Sequence, residues 1–221
     1  MRILDNLAIF TLLMSGLIVQ CGCTSSPESV PPIQALSRPL TDINSVVFMG
    51  LAERNSYPGI AKDMTTALSH AVQARGLFGL DVVDRQDPLC PEVSMVGRGG
   101  LTLDQIKEMR ETFKCDGILL GSINDFRPHP RMQLGVSLRM LDLKRGRLLW
   151  AVDHVWDTAD KAVEQRIKRY FENQIRSGSD PMMDWRIALI SPVAFEKFIA
   201  YELAQTLPYP THAAISPKTG R

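Results

Sequence analysis

The 221-residue chain predicts an α/β (α+β) fold: a mixed β-sheet in the order β-α-β-α-β-β-β, ending in an antiparallel meander, with helices packed on the sheet and further carboxyl-terminal helices. Three observations carry this. Met132, Leu134, Val136, Leu138 and Met140 alternate with Gln133, Gly135, Ser137 and Arg139, the period of two of a strand with one buried face. Leu148, Trp150, Val152, His154 and Trp156 repeat that period after a tight turn at Asp142–Gly146. Upstream, two apolar runs alternate with two stretches of helical spacing, a sequence of elements that implies helices packed on a mixed sheet. The upstream and downstream elements are expected to cover one face of the meander.

The elements follow in order. Asn44–Leu51 is apolar on both faces, which places it inside the sheet rather than at its edge. A helix is expected over about 58–75, where Ile60, Met64, Leu68 and Val72 fall on one face, with Pro58 in the first turn and Gly76 at the stop. Leu80–Asp84 is a second strand, followed by a Pro- and Gly-rich loop over 85–100. Thr102 and Gln105 have capping-box spacing, in which each side chain satisfies the other residue's free backbone amide, and Leu103, Ile106, Met109 and Phe113 form the stripe of the helix that follows. Cys115 opens the first strand of the meander. Asp142 is placed to accept backbone amides across the hairpin turn, and Gly146 is free to take positive φ. Trp150 offers a large apolar area to the helices.

Beyond Asp157 the spacing turns helical over 159–176, with Val163, Ile167, Tyr170, Phe171 and Ile175 on one side and Lys161, Arg166, Lys168 and Arg169 on the other. Ser177–Pro181 breaks it, and 182–190 reads as a short extended or turn-like piece. Ser191 and Pro192 cap a last helix to about Leu207, with Phe195, Phe198, Ile199 and Leu203 inward.

Hydrophobic residues make up 45% of the chain, enough for one domain with a genuine core. The formal net charge of +1 provides no global field for nucleic acid. The amino terminus differs in kind. Arg2 precedes an uncharged apolar run, Leu7–Val19, too short for a spanning helix and suited to a signal-peptide core. Cys21 and Cys23 follow at once, and then a Ser- and Pro-rich tether.

This placement resembles a bacterial lipoprotein signal, in which cleavage just before a cysteine leaves that cysteine to carry lipid such as palmitate. Cys21 has Ile18 and Val19 in favourable places but Gln20 before it; Cys23 has Gly22 before it but Gln20 three back. Cys23 is favoured because a small residue at the cut is the stricter demand, and Cys21 is the alternative. Neither is followed by Asp, which by resemblance to the sorting signal of diderm bacteria implies the outer membrane, facing the periplasm. The expected organisation is signal peptide 1–22, flexible linker 23–41, α/β domain 42–157, helical extension 158–207 and disordered tail 208–221. In an oxidising compartment Cys90 and Cys115 can bridge, or both can be buried thiols.

No CxxC or HxxxH spacing points to metal, and no nucleophile elbow or HExxH accompanies His154, whose bland reading is a satisfied core or edge histidine. The loop Gly97–Gly100 before a helix lacks the lysine and spacing of a phosphate-binding loop. No cofactor, metal or nucleic acid is therefore expected, and no small-molecule substrate is identified. Lys144, Arg145 and Arg147, with Arg139 nearby, form a basic hairpin tip: a solvated turn, or a contact for an acidic partner.

The runs ETFKCDGILLGSI and GVSLRMLDLKRGRLLWAVDHVWD resemble envelope lipoproteins of the curli-secretion CsgG type and of the penicillin-binding-protein activator type, whose domain is similar to the TolB amino-terminal domain. Cys115-Asp116 leads into a Gly121-containing strand, and Ser137–Asp142 through Gly146–Trp150 matches the family's hairpin, covering roughly residues 43–157. The resemblance implies a non-enzymatic periplasmic adaptor or activator that binds a protein partner in envelope assembly or secretion. Alternatives are a self-assembling ring component of an outer-membrane export apparatus, or an envelope hydrolase. The long alternating strands with which secretion pores of this group build a barrel have no spare counterpart here.

Overall fold

The structure, a computed structural model, describes residues 33, 35–53, 57–84, 102–177 and 184–209. Its strands are β1 (Ala35–Ser37), β2 (Ser45–Glu53), β3 (Gly79–Val82), β4 (Gly117–Arg127), β5 (Gln133–Asp142) and β6 (Arg147–Asp157). The helices are α1 (Ile60–Gln73), α2 (Leu103–Phe113), α3 (Lys161–Arg176) and α4 (Pro192–Gln205), with a 3-10 turn at Trp185–Leu189. One six-stranded sheet runs β1-β6-β5-β4-β2-β3. β2 is parallel to β3 and β4, and the pairs from β4 through β1 are antiparallel. This is the predicted mixed sheet with its terminal meander.

Local chemistry explains the elements. The capping box at Thr102 is present, with Gln105 N donating to Thr102 Oγ1 and Gln105 Oε1 accepting from Thr102 N. Ser191 caps α4 with Pro192 in its first turn, and Asp160 caps α3. The first helix starts at Ile60 rather than Pro58, because Gly59 holds a left-handed φ of 94° and its carbonyl accepts the amides of Lys62 and Asp63. At the hairpin, Asp142 Oδ1 accepts the amides of Lys144 (2.9 Å) and Arg145 (3.0 Å), and Gly146 sits at φ 61°.

Two expectations are corrected. The sheet is covered on both faces, not one. α1, α3 and α4 join a large cluster with Phe48, Leu119, Val136, Leu138, Trp150 and Trp156. α2 lies on the opposite side, where Ile106 and Met109 pack with Val47, Met49, Ile118 and Leu120. The reason is in the strands: β2 and β4 are apolar at consecutive positions and need two covers. β5 and β6 carry Ser137, Arg139, Ala151 and Asp153 on their second face and need none. Second, residues 35–37, expected within the flexible linker, form edge strand β1 against Val152, Ala151 and Trp150, and Ile33 and Leu40 are buried.

Where β4 crosses the core it must be thin. A Cβ at Gly121 would sit 2.8 Å from the Ser137 carbonyl oxygen and against the side chains of Leu138 and Leu51. The glycine in this strand is thus required by a close approach between neighbours. The expected tail from 210 onward lies outside the described residues.

Candidate functional site

At the basic hairpin tip, three half-exposed cations are each paired with a carboxylate. Lys144 Nζ pairs with Asp116 Oδ1 at 2.6 Å, while Asp116 Oδ2 accepts the amides of Asn44 (2.9 Å) and Ser45 (3.2 Å). Burial opposes the Asp116 charge, but Lys144 and those amides outweigh it and hold its carboxyl below the ordinary range. Arg145 bridges Asp42 (2.8 Å) and the fully buried Asp142 (3.2 Å), and Arg147 Nε lies 3.4 Å from Asp142. Three cations thus meet three carboxylates, tying the β5–β6 turn to the starts of β2 and β4. Arg139 stands apart, exposed on the open sheet face beside Leu120 and Ala151.

Cys115 is buried with Val47 and Met109, and that burial pushes its thiol up. Cys21, Cys23 and Cys90 lie outside the described residues. His154 is half-buried, its ring edge-on to Trp156 at 4.7 Å; burial first, and then Arg166, hold its pKa below the ordinary value. Among the described residues no group of three or more His, Cys, Asp or Glu could hold a metal, and no helix is long and apolar enough to cross a membrane.

The other candidate lies on the outer side of the helical layer. α1, α3 and α4 enclose a groove of about 760 Å³. Ala67, Ala71 and Ala74 are small and leave space that α4 does not fill. Tyr170 of α3 and Tyr201 of α4 form its aromatic wall, ring centroids 4.8 Å apart. At one end stand Asp63, Val193 and Glu196. Glu196 is only 3% exposed, and burial, with a smaller contribution from Asp63, raises its pKa to about 7. At the other end Arg75 donates to Gln205 and lies over the Tyr209 ring at 4.7 Å. Asp63 and Arg75 are twelve residues apart along α1 and its exit turn, which is about 18 Å at the helical rise.

Beneath the groove α4 is locked to the sheet and to α3 by a buried polar network. Glu202 Oε2 accepts from Trp156 Nε1 (2.8 Å), and its Oε1 from Arg166 Nε (2.8 Å). Trp150 Nε1 donates to Thr206 Oγ1 (3.1 Å). Glu196 and Glu202 both escaped the sequence reading. The available signal was two glutamates in a helix otherwise dominated by Phe, Ile, Ala and Leu, since a charge in such a setting is bought only by a partner or a function.

No protein-family model matches the chain, and no curated protein matches it. The solved structures similar over part of the chain include the three that follow. The PelC dodecamer from Paraburkholderia phytofirmans has 14% identity and a TM-score of 0.42, over 57% of this chain and 79% of that one. Lipoprotein GNA1162 from Neisseria meningitidis has 13% and 0.38, over 60% and 96%. The LpoB C-terminal domain from Salmonella enterica has 14% and 0.38, over 54% and 87%. These likenesses are too loose to transfer a residue or a role.

Proposed function

We propose that this chain is an envelope lipoprotein, anchored by lipid on the periplasmic side of the outer membrane, that acts without catalysis of its own as an adaptor or activator for a protein partner. The observation that carries the reading is the uncharged run Leu7–Val19 closing on Cys21 and Cys23, ten residues before the folded unit begins at Ile33. A leader, a lipid-accepting cysteine and a short tether put the domain close to a membrane surface. The groove on the outer helical layer is the surface we assign to the partner. It is concave, partly aromatic and framed by charges of both signs, features that suit protein recognition.

The anchoring is tested by membrane partition. Wild-type protein should sediment with membranes, and the Cys21→Ser, Cys23→Ser double variant should move to the soluble periplasmic fraction. Of the single variants, Cys23→Ser should reproduce that loss and Cys21→Ser should not. Unchanged partition of the double variant would show the lipid reading to be wrong.

A further inference from the structure

We propose that the groove between α1, α3 and α4 receives a basic polypeptide segment of the partner, seating a lysine or arginine side chain at the carboxylates of Glu196 and Asp63. This rests on the partner-binding reading and adds the chemistry of the segment that is bound.

Glu196 is the key observation. The residue as a whole is only 3% exposed, its side chain lines the groove, and no hydrogen bond or ion pair joins its carboxyl to another described residue. A buried carboxyl without a partner is costly, and the cost is relieved by an incoming cation with N–H donors. Asp63, exposed on the facing helix, adds a second negative charge at the same end. Tyr170 and Tyr201 line the same groove, and aromatic rings attract an ammonium or guanidinium group.

The rest of the groove sets the size of the ligand. A lone amine would fill a small part of 760 Å³. The far end adds Arg75, whose Nη2 is buried and has no hydrogen-bond partner among the described residues. A backbone carbonyl or a carboxylate on the same segment would satisfy it. A cation at one end and an acceptor about 18 Å away are what a peptide of five or six extended residues supplies.

The groups facing Glu196 fix the pH dependence. From α1 these are Asp63, His70 and Arg75, from α3 Tyr170, and from α4 Lys197 and Tyr201. Lys197 lines the groove, yet no ion pair joins it to Glu196. With its pKa raised to about 7, Glu196 is mostly protonated at pH 6 and mostly ionised at pH 8.5, so its share of the site's negative charge appears over that range. His70 is exposed on the rim of the same groove and is controlled for by substitution.

The test uses the full-length protein extracted in detergent, with fluorescein-labelled pentalysine as probe and fluorescence anisotropy as readout. Pentalysine acetylated at every side-chain amine, and pentaglutamate, serve as comparisons. Pentalysine should bind about tenfold more tightly at pH 8.5 than at pH 6.0, following the ionised fraction of a group one unit above the lower pH. Both comparison peptides should bind at least several-fold more weakly. Glu196→Gln, which keeps the shape of the protonated acid, should remove the pH dependence and most of the affinity, and His70→Asn should keep both. Asp63→Asn, at an exposed position, should weaken binding several-fold and serves if Glu196→Gln does not fold. The proposal is overturned if pentalysine fails to bind, if Glu196→Gln and Asp63→Asn bind it as wild type does, or if the acetylated peptide binds equally well. That last result would leave the groove as a docking site for a neutral partner, with the anchoring and adaptor reading untouched.

Discussion

Glu202→Ala is expected to destabilise the domain by about 3–5 kcal/mol, the usual cost of breaking a buried ion pair from one side. The carboxylate holds three elements together: Trp156 of β6 donates to one oxygen and Arg166 of α3 to the other, both at 2.8 Å, while Glu202 itself belongs to α4. The Arg166 and Glu202 side chains are 14% and 9% exposed, so water does not replace what is removed. Alanine would leave a guanidinium and an indole N–H without their acceptor. The Arg166 Nη2 atom is already buried and unpaired among the described residues, which adds to the loss. Urea unfolding with linear extrapolation measures the effect. Glu202→Gln should cost less, because a neutral acceptor remains for one donor. Joint replacement with Arg166→Met and Glu202→Leu should recover most of the loss, because no charge is then stranded. A Glu202→Ala protein within 1 kcal/mol of wild type would mean that the network is an exposed pair in solution.

The second large effect concerns Glu196 and pH. Its folded pKa, about 7, lies above the ordinary glutamate value of 4.5, first through burial and then through Asp63. Between those values the folded protein holds a proton that the unfolded chain has released, so stability falls as pH rises. The stabilising difference is complete below pH 4.5 and gone above about 7. That corresponds to a loss on the order of 3 kcal/mol between pH 4.5 and 8. Glu196→Gln should flatten this part of the profile and exceed wild type in stability at pH 8. His154 acts in the opposite direction, because burial and Arg166 lower its pKa and its protonation on acidification disfavours the folded state. The difference between wild type and Glu196→Gln at each pH cancels that contribution. Identical slopes in the two proteins would show that Glu196 is hydrated and not buried in the groove floor.

The sequence revealed most where neighbours in the chain are neighbours in space. The meander was legible because Leu134–Met140 and Trp150–Trp156 obey a strict period of two, and their partners lie across one hairpin. The capping box at Thr102 and the turn at Asp142 are four- and five-residue devices and appear as expected. Strand β1 was hidden because three residues among prolines carry no period, and only the open edge of β6 gives them a place. The second covered face was hidden because an apolar run such as Val46–Met49 does not say which helix lies on which side.

The candidate site was less legible, for the same reason. Lys144 and Arg145 read as a solvated turn or a partner contact, and the sequence does not show that Asp116 and Asp42 come from distant segments to pair with them. Glu196 goes unnoticed in the sequence because the groove it lines exists only once α1 and α3 pack beside α4. The spacing of α4 showed its inward stripe of Phe195, Phe198, Ile199 and Leu203 but not that its remaining faces are also largely covered. Burial of a polar group depends on what packs against it, and that information sits elsewhere in the chain.

The central claim is that this groove binds a different protein at the membrane. A photoreactive amino acid in place of Thr66, exposed on the groove rim, would report on it directly when the full-length protein is irradiated in its native membrane. The account predicts one cross-linked product with a foreign protein, mapping to a segment that contains lysine or arginine. A ladder of self-multiples closing at one size would contradict it and identify the chain as a ring-forming component instead.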